Sequence, residues 1–291
     1  MQRTVLVMGS TGKLGEPVAR RLKENGFRVR ILTRDKDKAG KLFDQSFEII
    51  VGDVLETKDL EKALDSCYGV HISVVPPMIE PPVVEKVVAM ASPKGLERIT
   101  YVSGTNNFEK NTWHDIPRLK LAAEKIIRNS GIPYTIFCPT AAMENLAVYI
   151  RGKRASVIGK QPHPLHWYAA DDFGRMVAAS YHKEEALGKR FFVHGPEGIT
   201  THEALRRYCT VFHPEIKKIS TIPFWLARII ATISGNKRMK MAIMATSLYE
   251  KAGEGGDPAE ANRILGAPTI TLDEWLQRRK SKLSSSRGNG V

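Results

Sequence analysis

The 291-residue chain is 42% hydrophobic and carries 44 Lys and Arg against 31 Asp and Glu, a net charge of +13. That length and apolar content suit one large α/β domain or two smaller ones, and exclude a disordered or fibrous chain. No run of about 18 uncharged apolar residues occurs, which excludes a membrane-spanning helix. The positive balance attracts phosphorylated cofactors, nucleic acid and acidic surfaces alike, so by itself it does not choose among them.

The chain opens on a strand, Thr4 to Met8, that feeds into Gly9-Ser10-Thr11-Gly12-Lys13-Leu14-Gly15, after which Glu16 to Lys23 reads as a helix. Glycine lets backbone turn sharply and approach a ligand closely. The free N–H groups and dipole at a helix start favour a pyrophosphate. A glycine loop between a buried-type strand and a helix therefore predicts dinucleotide binding, although the spacing is G-x-x-G-x-x-G rather than the commoner G-x-G-x-x-G. The first strand begins almost at Met1, leaving no room for a leader, and predicts a cytoplasmic address. Cys67, Cys138 and Cys209 have neither disulfide nor zinc spacing and read as reduced core thiols.

Asn25-Gly26 marks the end of the first helix, and Arg28 to Thr33 alternates as a second strand. Strands over Phe47 to Val51, Val70 to Val75, Arg98 to Val102 and Tyr134 to Phe137 follow. Helices over Lys58 to Leu64, with Thr57 as its cap, Pro82 to Ala91 and Leu119 to Asn129 separate them. This alternation predicts a doubly wound parallel Rossmann sheet of the α/β class. From Pro139 the alternation fades: short strands at Gly152 to Gly159 and Arg190 to Val193, and helices at Asp172 to Tyr181, His202 to Phe212, Phe224 to Ile233, Met239 to Lys251 and Leu272 to Lys280. The expected organisation is a nucleotide-binding domain over 1–140, a smaller, mostly helical substrate subdomain over 141–280, and a basic disordered tail over 281–291.

Arg34 ends the second strand about 20 residues past the loop, where an acid serves NAD and an arginine serves the 2′-phosphate of NADP. This predicts NADP(H) in preference to NAD(H); the alternative is a solvated charge in Arg34-Asp35-Lys36-Asp37-Lys38. His163 and His166 lack a third ligand at useful spacing, so no metal is expected. Asp171-Asp172 reads as a helix cap, and the stripe of Trp225, Leu226, Ile229, Ile230 and Ile233 as core or cleft wall.

Together with the loop, Gly52-Asp53, Val74-Val75-Pro76-Pro77, Tyr101-Val102-Ser103, Lys120-x-x-x-Glu124, Gly131 to Ile136, Pro139, Met143-Glu144-Asn145 and Gly195-Pro196-Glu197 resemble the NmrA-like branch of the atypical short-chain dehydrogenase/reductases. The resemblance is strongest up to Asn145. It implies that Asp53 and Val54 flank an adenine, that Val75, Pro76 and Pro77 line the ribose and nicotinamide side, and that Pro139 and Thr140 lie near the nicotinamide.

Typical members of the superfamily use a Tyr four residues before a Lys as proton donor, with a Ser polarising the carbonyl. Ser103 and Lys120 occupy plausible places here, but Ile116 stands where the Tyr belongs and has no proton to give. Lys120 as acid and ribose anchor, His114 as donor, or no catalysis remain the alternatives. Asn106, Asn107, Met143, Asn145 and His166 are candidates for the substrate cleft, or ordinary loop residues.

These features predict an NADPH-dependent oxidoreductase passing hydride to a small apolar or aromatic carbonyl, enone or quinone. The rival is a non-catalytic NADP(H)-binding sensor that docks to a regulatory protein partner. A small-molecule substrate, a monomer or homodimer, no specific nucleic acid and no membrane complete the expectation.

Overall fold

Alternating short strands and amphipathic helices build the first half: β1 (Thr4–Met8), α1 (Gly15–Glu24), β2 (Arg28–Thr33), α2 (Lys36–Leu42), β3 (Glu48–Val51), α3 (Thr57–Leu64), β4 (Gly69–Ile72), α4 (Glu80–Lys94), β5 (Arg98–Val102), α5 (Asp115–Asn129) and β6 (Tyr134–Pro139). The second half runs through β7 (Ile150–Arg151), β8 (Arg154–Ile158), β9 (Leu165–His166), α6 (Ala170–Ser180), β10 (Lys189–Val193), β11 (Gly198–Ile199) and α7 (Thr201–Phe212). It ends with β12 (Ile219–Ile222), α8 (Phe224–Ile233), α9 (Lys237–Ala252), α10 (Ala259–Leu265) and α11 (Leu272–Gly288). The computed structural model describes residues 2–288.

The chain forms two compact units. The first holds the chain up to Pro139 together with Ala170–Val193 and Asp257–Ala267. Its seven strands are all parallel, in the order β10-β6-β5-β4-β1-β2-β3. Strand order reverses between β1 and β4, the switch point where open α/β sheets bind ligands at their carboxyl ends. β1, β4 and β5 are buried almost throughout, as parallel strands covered on both faces must be. α1 and α6 pack closely: a Cβ on Gly174 would lie 2.8 Å from the Pro17 backbone.

The second unit holds Thr140–Ala169, His194–Gly256 and the chain from Pro268 onward. A three-stranded sheet in the order β12-β8-β7 carries α7, and Met143, Leu146, Trp167, Leu205, Tyr208 and Trp275 belong to its core. A smaller cluster of Ile158, Ala227, Ala231, Met239 and Ile243 joins β8, α8 and α9.

Several expectations change. The region 141–280 is not one continuous subdomain, because 170–193 and 257–267 return to the first unit, where β10 supplies a seventh strand beside β6. β4 stops at Ile72 rather than Val75; Pro76 and Pro77 have no N–H to give a ladder. Thr57 is the first residue of α3 and caps nothing; Glu56 occupies the cap position. Asp171 and Asp172 lie inside the first turn of α6, where Asp171 pairs with Arg21 at 2.5 Å. The expected tail from 281 continues α11 as helix to Gly288, since no proline or interior glycine interrupts its backbone ladder. Residues 289–291 lie outside the described residues.

Candidate cofactor and active site

The three loop glycines have different reasons to be glycine. Gly9 sits at φ +81°, and a Cβ there would meet the Ser73 carbonyl oxygen at 2.0 Å. At Gly15 a Cβ would stand 2.2 Å from the Gly9 carbonyl oxygen. Packing within the protein therefore demands both. A Cβ on Gly12 meets only that same oxygen, at 3.0 Å. The open side of Gly12 is what a close-approaching phosphate requires. The loop is closed by the Gly12 N–H donating to Gly9 O at 3.0 Å, and no side chain caps α1. Ser10 is fully buried, its hydroxyl unpartnered, while Thr11, Lys13 and Leu14 are partly or largely exposed.

Beside the switch point, Lys120 on α5 reaches back to the carboxyl end of β5. Its ammonium donates to Val102 O at 2.7 Å and forms an ion pair with Glu80 Oε1 at 2.8 Å. Glu80 opens α4, is 1% exposed, and accepts a hydrogen bond from the Tyr101 hydroxyl through its other oxygen. Burial, and then the neighbouring Glu80 carboxylate, push the Tyr101 phenol well above its ordinary range. Tyr101 is therefore a neutral hydrogen-bond donor at physiological pH. Lys120 is thus held by a buried carboxylate that the sequence did not single out: Glu80 stands at the head of the apolar stretch Glu80-Pro81-Pro82-Val83-Val84, and only topology brings it to Lys120.

Ser103, expected to polarise a carbonyl, is 7% exposed and donates its hydroxyl to the buried Glu124 at 2.5 Å. Glu124 also receives Arg190 Nε at 3.0 Å, and Asn107 Nδ2 donates to Ser103 Oγ at 3.0 Å. This network ties β5, α5 and β10 together. His114 caps α5: its Nδ1 accepts the Ile116 N–H at 3.1 Å, which leaves only Nε2 as a proton donor. Asn106 and Asn107 are buried rather than on the loop surface; Asn106 O accepts from Asn111 Nδ2 and Asn107 O from Arg190.

At the sheet's other side, Arg34 is 79% exposed and lies 3.6 Å from Asp53, whose N–H is held by Asp59 at 2.9 Å. Val54 packs against the core. After β4, Val75 is exposed at 78%, Val75-Pro76 is a cis peptide, and Pro77 is buried. Pro139 ends β6.

In the second unit, Met143 is fully buried in the core, so its expected place in a cleft is corrected: its N–H is held by Tyr168 O at 2.9 Å and its side chain belongs to the same apolar cluster as Leu146 and Trp167. Asn145 is exposed. The Thr140 hydroxyl donates to His166 O. His166 is half-buried, pairs with Glu254 through Nδ1, and stacks on His194 at 5.3 Å between ring centres. Potential ligand atoms of His166, His194 and Glu254 all lie within 4.8 Å of one another. The residues that meet His166 lie far from it along the chain, which is why a search for ligands near His163 and His166 in sequence does not find them. Gly195-Pro196-Glu197 is structural: a Cβ on Gly195 would collide with Trp167 O, and Glu197 accepts the Leu272 N–H that opens α11. The three cysteines are buried and free, with Cys67 pushed up to about 11 and Cys138 to about 12 by burial.

Among known proteins, the NmrA-like family matches residues 1–285. A (4-alkanoyl-5-oxo-2,5-dihydrofuran-3-yl)methyl phosphate reductase of Streptomyces griseus is 27% identical over 202 residues, covering 68% of this chain and 70% of its own. A photosystem II assembly factor, Ycf39 of Cyanophora paradoxa, is 28% identical over 142 residues, 46% of this chain and 44% of its own. In fold the chain is similar to an NADPH-dependent quinone oxidoreductase of Escherichia coli solved with NADPH, with a TM-score of 0.74, 19% identity, and 94% of this chain and 99% of that one covered.

Proposed function

The chain belongs to the NmrA-like family, and on that footing we propose that it is an NADPH-dependent oxidoreductase that passes hydride to a small apolar or aromatic carbonyl, enone or quinone. The observation that carries this reading is Gly12, a loop glycine at the switch point whose missing side chain the protein's own packing hardly requires. A bound nicotinamide dinucleotide supplies the hydride. The backbone from Gly9 to Gly15 and the start of α1 hold the pyrophosphate, and Arg34 with Asp53 faces the adenosine end, the guanidinium suited to a 2′-phosphate. Lys120, fixed by Val102 O and Glu80, anchors the ribose and holds the proton given to the acceptor. The reductase and quinone oxidoreductase names among its relatives support the same class of reaction.

A second reading, a non-catalytic NADP(H)-binding sensor, is favoured by Ile116 in the place of the Tyr and by the Ser103 hydroxyl being turned to Glu124. Mixing the protein with NADPH and a panel of quinones and enones separates the two. Acceptor-dependent loss of NADPH absorbance is expected; none above background across the panel, with NADPH still bound, transfers the assignment to the sensor.

A further inference from the structure

α8 is built inside out. Its inward positions are the small Ala227 and Ala231, fully packed against Met239 and Ile243. Its large apolar side chains point away: Trp225 is 63% exposed, Ile229 48%, Ile230 38% and Ile233 82%. At about 100° per residue these four fall within an arc of about 140°, a broad apolar face rather than scattered surface residues. Of the two expected roles of this stripe, core or cleft wall, the core one is therefore wrong for the face that bears it.

The segment that bears this face is basic between two acids, Glu215 and Glu250, and the Glu250 carboxylate is taken up by the Lys160 and Gln161 N–H groups near Phe224. Between Ile216 and Tyr249 the sequence holds Lys217, Lys218, Arg228, Lys237, Arg238 and Lys240 and neither Asp nor Glu. Lys217, Lys218, Arg228, Lys237 and Lys240 are exposed. A helix with aromatic and branched aliphatic side chains on one face, in a stretch of chain whose exposed charges are Lys and Arg, has the composition of an element that lies in the interface of an anionic bilayer. No helix among the described residues is long and apolar enough to cross a membrane, so the contact is peripheral.

We infer that α8 docks the protein onto an anionic lipid surface, with Trp225, Ile229 and Ile233 entering the headgroup boundary and Arg228, Lys237 and Lys240 meeting the lipid phosphates. A second copy of the chain is a poorer occupant, because a two-fold contact through α8 sets the exposed Arg228, Lys237 and Lys240 of one copy against the same cations of the other. This inference stands apart from the proposed reductase activity and replaces the expected absence of membrane contact.

The 291-residue chain is tested by co-sedimentation with vesicles of phosphatidylcholine alone and of phosphatidylcholine with phosphatidylglycerol. Binding to the anionic vesicles, weakened by salt and slight on the neutral ones, is expected. Ile229→Ser with Ile233→Ser, and separately Lys237→Glu with Lys240→Glu, each lower the partition coefficient about tenfold or more at unchanged far-ultraviolet circular dichroism. Should a variant misfold, brominated lipid decides with folded protein: it quenches part of the fluorescence of the wild type and much less in Trp225→Phe. Failure of the wild type to bind anionic vesicles overturns the inference, as does binding that neither pair of substitutions reduces. Self-association abolished by the serine pair, without vesicle binding, gives the face to a second copy; capture only by an acidic protein surface gives it to a protein partner, and both outcomes overturn the lipid assignment.

Discussion

Replacing Gly12 with alanine places a methyl 3.0 Å from the Gly9 carbonyl oxygen, a contact the loop relieves with a small shift, but it also fills the side that a pyrophosphate must reach. Gly12→Ala should fold with a melting temperature close to wild type and lose NADPH affinity by at least tenfold, about 1.4 kcal/mol, in a nucleotide-fluorescence titration. Unchanged affinity would make the loop an ordinary turn. Arg34→Glu sets like charge beside the position of a 2′-phosphate, so NADPH affinity should fall by one to two factors of ten while NADH affinity holds. Equal losses for both nucleotides would remove the selectivity argument; the contact is exposed, so no larger effect is expected. Lys120 needs a paired design because Glu80 is 1% exposed and depends on it. Lys120→Met alone strands a buried carboxylate and costs roughly 3–5 kcal/mol of stability. Lys120→Met combined with Glu80→Gln relieves that cost and should still lower kcat about 10²- to 10⁴-fold if Lys120 gives the proton. Full turnover in the folded double variant passes that role to His114 Nε2 or water.

β4 shows how an element can set a pH dependence. His71 is wholly buried in it, with Nδ1 2.9 Å from Thr100 Oγ1 and Nε2 without a partner, and burial lowers its pKa to about 3. The unfolded chain binds a proton near pH 6.5 that the folded chain refuses, so stability is complete above about pH 6.5 and falls as pH drops toward 3, by up to about 1.4 kcal/mol per pH unit. Urea midpoints measured from pH 8 to pH 4 should trace that decline, and His71→Leu should flatten it; an identical acid limb in the variant would place the titration elsewhere. The strands of the first unit were legible because their aliphatic runs and spacing carry the pattern of a parallel sheet. α2 was not, since Lys36 to Leu42 buries only Ala39 and owes its start to Asp35, which accepts the Lys38 N–H at 2.9 Å. The glycine loop could be read from spacing, whereas Glu80 could not, because a carboxylate at the head of an apolar helix does not announce its partner. In α8 the periodicity identified the helix but not the solvent on its apolar side, since sequence period fixes which residues share a face and not what covers it.

At the scale of the whole chain, the first unit is assembled from three separated stretches, the last of them Asp257–Ala267. A nascent polypeptide emerging from the ribosome therefore has six strands of the sheet long before the seventh. Until Lys189–Val193 arrives, the outer edge of β6 is bare, and its register partners show that Thr135 to Pro139 all await β10. Ile136, Phe137 and Cys138 are fully buried in the finished protein, so this edge is both apolar and open to wrong pairing while it waits. A version ended at Pro139 retains the glycine loop and six strands yet should collect in the pellet as aggregate, and a version ended after Ala267 should remain in the supernatant to a far greater extent. If the short version is monomeric in sedimentation velocity, the late strand is dispensable. Otherwise synthesis itself imposes an order: the first unit cannot close until the chain has been made through Ala267, and protection of the β6 edge over that interval falls to whatever meets the growing chain.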